Sequence, residues 1–513
     1  MYKFLLCWRY LRTRYIALAS VISVMLGVAT MIVVNSVMEG FTTEMQNRIH
    51  GILSDMVFES RSLEGFRDAN WHMEQIRNVA GDAIVGMSPT VVVPAMLSFQ
   101  IRGEWITQQV QLIGIDENTQ ASVSDFGKYL QHPANREKMS FHLREGGYDV
   151  RDHQAEGEAP LRRQMAEAGW SARRAIYFQQ RTLQEPSPGR NSPPTAGKDT
   201  SPAADPFQRA ETAVANDPLA GRVFDPSKEQ HTGCVMGIAL SCHRDKDGED
   251  RFLVLPGEDV KLTFPTAGTP PKVVSDSFTI ADFYESKMSE YDASFIFVPI
   301  RALQELRGMV DPRTNVGFVN SIQMKLKPGA DMDEVRDRLR AAFNPQLYGV
   351  FTWRDKQTPL LAAVQVETAI LNVLLFMIIA VAGFGILAVF FMIVVEKTRD
   401  IGILKSLGAP GTGIMGIFLA YGLSLGLVGS GAGLVIGLLF VRHINGIADL
   451  LGRITGQKVF DPQIYYFYKI PTIVDPPTIA WIMLGAMCIA VLASVLPALR
   501  AALQHPVEAL RYE

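Results

Sequence analysis

The chain has 513 residues, with 49 basic and 52 acidic side chains for a formal net charge of −3, and a mean hydropathy of +0.11. A chain this apolar is not an ordinary soluble enzyme, and near-neutral charge argues against a nucleic-acid binder, which needs a basic face against phosphates. Its four cysteines are too few for a disulfide-built scaffold.

In chain order, residues 1–14 carry Lys3, Arg9, Arg12 and Arg14 between Phe4, Trp8 and Leu11, which with Tyr15 keep helical spacing. This predicts an interfacial helix in contact with membrane lipids; the plainer reading is the frayed start of the first span. Four uncharged segments follow, 15–37, 368–395, 414–441 and 478–499, each at least as long as the ~20 residues a crossing helix needs. The first is longer than a signal-peptide core and lacks a small-x-small site, so it reads as a retained anchor. Basic residues before it and Glu39 after it put the N-terminus in the cytoplasm. Four crossings return the C-terminal tail, 500–513, to the same side. Lys397, Arg399 and Lys405 in the loop 396–413 agree, as do Arg500 and Arg511, whereas the outer loop 442–477, with Arg442, Arg453, Lys458 and Lys469, fits less well.

The fold class predicted is a polytopic α-helical membrane protein, with one span before and three after a large α+β extracytoplasmic domain at 38–366. Phe41, Met45, Ile49 and Ile52 carry the first helix outward as a stalk, and Leu360–Val366 leads into the second span in the same way. Strands are predicted at Asp55–Phe58, Ala83–Met87, Ala95–Ile101, Ile106–Ile113, Phe252–Leu255, Val260–Phe264, Ser277–Phe283, Ser294–Val298 and Ser321–Leu326. Helices are predicted at Ile300–Met309 and Asp331–Phe343, the latter burying Val335, Leu339 and Ala342. The charge-rich segment at about 130–230, proline-rich over Gln184–Gln208, predicts a disordered insertion, because it holds too little apolar surface to offset chain entropy.

The chain contains no G-x-x-x-x-G-K-[ST] phosphate loop. Gly422, Gly426, Gly429, Gly431, Gly433 and Gly437 lie inside the third span and read as small-residue helix packing rather than phosphate binding. Gly422-Leu-Ser424-Leu-Gly426 formally matches a hydrolase nucleophile elbow, but a mid-span position does not supply the strand, turn and helix that motif needs. No metal-ligand spacing stands out among the cysteines and histidines, and no cofactor is predicted within this chain. Cys234 and Cys242 are predicted to lie outside, where they form either a disulfide or two thiols. Cys7 and Cys488 read as small apolar fillers.

The stretch Glu396-Lys-Thr-Arg-Asp-Ile-Gly-Ile-Leu-Lys-Ser-Leu-Gly-Ala409 predicts a short cytoplasmic helix. Ile401, Leu404 and Leu407 are assigned to one apolar face, Gly408 to the left-handed stop, and Pro410 blocks continuation. Such a knob suits docking to a partner; the plainer reading is a basic topology anchor. This stretch, followed by a glycine-rich span, resembles the cytoplasmic loop of the FtsX-like, MacB-type ABC-transporter permeases. Leu112-Ile-Gly-Ile-Asp116, Pro256-Gly-Glu-Asp-Val260 and Met288-Ser-Glu-Tyr-Asp292, leading to Phe295-Ile-Phe-Val298, are most similar to the lipoprotein-releasing LolC/LolE branch.

The resemblance implies a non-enzymatic permease half in the cytoplasmic membrane. It would pair with a second, identical or different permease and with a separate ABC ATPase that binds ATP and Mg. It also implies mechanotransmission, with a lipoprotein client and a periplasmic chaperone as external partners. Carried over residue by residue, the ATPase contact comprises Glu396, Lys397, Arg399, Asp400, Ile401, Gly402, Leu404, Lys405, Leu407 and Gly408. MacB-like efflux and FtsX-like control of an external cell-wall hydrolase are the alternatives.

Overall fold

The computed structural model describes residues 15–52, 54–62, 64–101, 103–154, 161–184, 224–244, 249–455 and 469–505. The expected interfacial helix, the Gln184–Gln208 stretch beyond its first residue, Lys458 and Arg511 lie outside these. The chain divides into two compact units, Met1–Met45 with Pro359–Glu513, and Gln46–Thr358.

Among the described residues the second unit contains eleven strands: β1 (Met56–Ser60), β2 (Ile84–Ile101), β3 (Glu104–Ile115), β4 (Thr232–Gly237), β5 (Cys242–Arg244), β6 (Asp250–Phe252), β7 (Asp259–Pro265), β8 (Val273–Tyr284), β9 (Phe295–Pro299), β10 (Ser321–Leu326) and β11 (Tyr348–Thr352). Nine form one sheet in the order β11-β1-β10-β2-β3-β9-β4-β8-β7, and β7 pairs back onto β2. Six strands therefore close a ring, while the first half of β2 leaves it to pair with β10, and β1 and β11 extend that flank. The sequence pattern suggested two strands at 83–87 and 95–101, separated by Pro89 and Pro94. The structure joins them into one 18-residue strand, because β2 serves two neighbours in succession and can bend between them.

Alternation along β2 sends Val91, Val93, Ala95, Leu97 and Phe99 into one core with Leu112, Leu262, Phe264, Phe278 and Ile296. Ile113, Ile115, Val235, Tyr284 and Phe297 on another face are covered by Phe126, Leu130 and Phe141. The helix Met332–Ala342 is capped by the Asp331 carboxylate, which accepts from the Asp333 and Glu334 amides, and it buries Val335 and Leu339. Ala342 is exposed, contrary to expectation, because the helix has reached its end there.

The expected disorder of 130–230 is corrected wherever this segment is described. Phe141, Leu143, Tyr148 and Met165 are buried, and Trp170–Gln184 is helical. Part of the charge of the segment is internal, at Asp152, Arg162 and Arg173. Arg162, 3% exposed, pairs with Asp250 at 3.1 Å and Glu285 at 2.8 Å, and donates to Gln131 Oε1 at 3.0 Å. Lys287 pairs with Asp152 and Glu285 in the same cluster. The Asn135 side chain donates to buried Asp282 at 2.7 Å, and burial pushes that carboxyl up to about 7. A composition count misses this, since charges that satisfy one another can be buried whereas solvated ones cannot.

The first unit holds helices long and apolar enough to cross a membrane, Leu18–Arg48, Leu361–Glu396, Gly411–Thr455 and Pro476–Leu503, the first of which ends in the second unit. The helix expected to end near Ile52 does so, spanning Tyr15–Ile52. The third runs to Thr455 rather than Val441, and the Asn445 side chain near its end accepts from the Ile470 amide at 2.8 Å. A Cβ at Gly422 would meet Ser494 and one at Gly426 would meet Ala490, both on the last helix. At Gly429, Gly433 and Gly437 it would meet Val24, Met25 and Val28, and Ile32 and Ala29 of the first helix. Gly431 meets nothing within 4 Å. One glycine face thus touches two helices in turn at backbone distance, the approach that drives association where lipid removes the hydrophobic incentive.

Two predictions follow from this packing. Gly433→Leu, whose Cβ would lie 2.7 Å from the Met25 carbonyl oxygen, should abolish recovery of monodisperse protein by size exclusion, while Gly431→Leu should leave it unchanged. In thermal unfolding of the full chain, Arg162→Met should cost about 3–5 kcal/mol by stranding buried carboxylates. Exposed Arg163→Met should stay within ~0.5 kcal/mol.

Candidate functional site

The stretch singled out in the sequence forms a helix from Thr398 to Ser406, shorter than the span 396–409. It begins one residue after the second apolar helix ends at Glu396, and the Thr398 hydroxyl donates back to the Val394 carbonyl at 3.0 Å. Lys397 and Asp400 pair at 2.7 Å over one turn, a partly exposed contact of small energetic weight. At the far end Gly408 has φ +91°, the Ala409 amide donates to the Leu404 carbonyl, and the Gly408 amide donates to the Lys405 carbonyl, both at 3.0 Å. This pair of bonds is a Schellman stop, so the expected left-handed glycine is present for a definite reason.

The assignment of Ile401, Leu404 and Leu407 to one face needs correction. Ile401 is 3% exposed and belongs to the membrane unit's core with Val394, Ile414 and Ala501, while Thr398 and Gly402 are buried beside it. At ~100° per residue Ile401 and Leu407 lie about 120° apart, too far to share a narrow face. The exposed apolar surface consists of Ile403, Leu404 and Leu407, the last 79% exposed. Ile403 was absent from the sequence assignment; the i, i+4 spacing to Leu407 was the signal that reveals it. Glu396, Arg399 and Asp400 are exposed around this surface.

Lys405 has a structural task that spacing did not disclose. Its Nζ donates to the carbonyl oxygens of Ala502 and Gln504, both at 2.6 Å, at the C-terminal end of the last helix. Those carbonyls have no intrahelical partner, and a cation there meets the negative end of the helix dipole. The short helix is therefore fixed on one side by Ile401 in the bundle and on another by Lys405 on the fourth span, and it presents an apolar knob on the remaining side.

Elsewhere, Cys234 and Cys242 are not joined to one another in the structure. Cys234 sits in β4 between β8 and β9 with its thiol pushed up by burial, whereas Cys242 belongs to the separate β5–β6 hairpin. Ser424 lies within an unbroken helix and its hydroxyl donates to the Ala420 carbonyl at 2.5 Å, so no nucleophile elbow forms there. Among the described residues no group of three or more His, Cys, Asp or Glu is placed to hold a metal ion.

Residues 372–506 match the FtsX-like permease C-terminal family. The chain is 27% identical over 311 residues to the lipoprotein-releasing system transmembrane protein LolC of Xylella fastidiosa strain Temecula1, covering 60% of this chain and 71% of that one. Over 166 residues it is 26% identical to the corresponding protein LolE of Haemophilus influenzae, 32% of this chain and 40% of that one. It is also 23% identical over 316 residues to the macrolide export ATP-binding/permease protein MacB of Bdellovibrio bacteriovorus, covering 59% of this chain and 42% of that one.

Proposed function

From the premise that this chain is a multi-pass membrane permease of the FtsX-like superfamily, we propose that it is the mechanotransmitting half of an ABC transporter that releases lipoproteins from the cytoplasmic membrane. In this reading the strand-bearing unit lies outside, both termini lie in the cytoplasm, and a separate ATPase subunit with its ATP and Mg docks on the helix Thr398–Ser406. A second permease completes the membrane assembly, and a periplasmic chaperone receives the client. The observation that carries the reading is the knob itself: Ile403, Leu404 and Leu407 are exposed while the same short helix is anchored through Ile401 and Lys405. A docking helix must be rigid on the inside and apolar on the outside, since burying an exposed apolar face against a partner drives association.

Lipoprotein release is favoured over efflux because the match to the lipoprotein-releasing relative spans 71% of that protein, against 42% of the macrolide exporter. Efflux is the second reading, and the similarity to the exporter is what supports it.

The test is affinity capture of the ATPase by the tagged, reconstituted permease, with released acylated protein measured in parallel. Leu404→Asp and Leu407→Asp should each weaken capture at least tenfold, because a carboxylate in a desolvated apolar contact lacks a partner. Insertion into the membrane should be unaffected. Full capture and full release by both variants would remove this helix from the energy path, and release of a small hydrophobic drug in place of acylated protein would favour efflux.

A further inference from the structure

The ring of strands is not zipped along its whole seam. β2 and β7 pair only through Met96–Ser98 against Lys261–Thr263, and the next positions in register, Phe99 with Val260 and Gln100 with Asp259, are not paired across it. Each strand is held on its other side, Gln100 opposite Trp105 of β3 and Asp259 opposite Thr279 of β8. Backbone groups of successive residues in an antiparallel strand point alternately to the two neighbours. Val92 fixes the phase: its N–H donates to Asn320 Oδ1 at 2.8 Å and its carbonyl accepts from Asn320 Nδ2 at 2.6 Å, so even-numbered residues of β2 face away from β3. The N–H and C=O of Gln100 therefore face the open seam, and by the β7 register those of Asp259 face it from the opposite bank.

A slot of about 510 Å³ opens at this place, within the ~300–1,000 Å³ typical of ligand sites. Phe99 and Trp105 line one bank and Glu258 to Lys261 the other, while the helix Trp170–Gln184 contributes Arg173, Ile176 and Tyr177. That helix belongs to the 130–230 segment, so the segment earlier expected to be unstructured builds one wall of the slot. Arg173 is 4% exposed. Its Nε donates to the Glu229 carbonyl, and its Nη1 donates to the Gly257 carbonyl and Asp259 Oδ1, which leaves Nη2 with no hydrogen bond. The guanidinium carbon is also 5.9 Å from the Phe224 ring centroid. Beside it, burial pushes the Glu258 carboxyl up to about 7, which weakens the negative charge of that bank near neutrality.

We propose that this slot binds an extended peptide segment bearing an acidic side chain, which adds as a short strand along the open edges of β2 and β7 and sets its carboxylate on Arg173. Main-chain groups on two edges call for a partner with its own alternating donors and acceptors, the pattern of strand addition, and a small ion does not supply it. The spare guanidinium arm, buried and without a partner, selects a carboxylate over a neutral group. Trp105 and Tyr177, both partly exposed, offer flat apolar surface to the neighbouring side chains. This inference rests on the strand-bearing unit alone and stands or falls independently of the transport reading.

The probe is an acetylated, amidated eight-residue peptide of alternating valine and threonine with one central aspartate, titrated onto the full-length protein in nanodiscs. It should bind at least tenfold tighter than the same peptide with asparagine at the centre, and tenfold tighter than one with proline at alternate positions. Amide exchange at Gln100 and Asp259 should slow when it binds. Arg173→Gln should erase the aspartate preference. Because that arginine is buried and its loss can unfold the unit, Trp105→Ala at the rim is the second variant, expected to weaken binding at least fivefold with unchanged thermal unfolding. Equal binding of the proline peptide, displacement by millimolar acetate alone, or no change in Trp105→Ala would each overturn the proposal.

Discussion

The membrane unit depends on how closely the third apolar helix approaches its neighbours. In lipid the hydrophobic effect gives helices no reason to prefer one another to the solvent, so contact must come from backbone proximity and fitted van der Waals surfaces. Removing side chains along one face supplies that proximity. Gly422 and Gly426 admit the last helix, and Gly429, Gly433 and Gly437 admit the first. The third helix is thereby the common neighbour of the other two, and a displacement at its N-terminal end cannot be absorbed by loose packing. The short helix Thr398–Ser406 sits immediately before that end, stopped by Gly408 and tied by Lys405 to the terminal carbonyls of the last helix. An apolar knob on a rigid mount next to a tightly packed helix is a sound place to deliver mechanical work.

The strand-bearing unit solves a different problem. Closing six strands into a ring removes most exposed edges, yet β2 must also leave the ring to support β10, β1 and β11. The incomplete β2–β7 seam is one consequence, since a strand shared between two sheets cannot match both registers along its full length. Separately, the ion cluster around Arg162 joins that residue to Asp250 of β6 and to Glu285 just past β8 through contacts that are expensive to break singly.

What the sequence disclosed follows the range of the interaction concerned. A helix beginning near Asp331, Ser321–Leu326 as a strand and Gly408 as a helix stop rest on neighbours within a turn or on simple alternation, and each appears where the local pattern puts it. The apolar helices were legible because length and composition suffice. The errors share a cause as well. Arg162 finds partners 88 and 123 residues away, so its segment looked too polar to fold. Ile401 was grouped with Leu404 and Leu407 because its neighbours in the bundle, such as Ala501, are remote in the chain.

The claim on which the account turns is that the knob is mechanically tied to the last helix through Lys405. Lys405→Met keeps the apolar stem and removes only the two bonds to the Ala502 and Gln504 carbonyls. The decisive quantity is acylated client released per ATP hydrolysed by the complex reconstituted in nanodiscs. The account predicts that Lys405→Met binds the ATPase and hydrolyses ATP near the wild-type rate, yet releases at least tenfold less client per ATP. An unchanged ratio would contradict it.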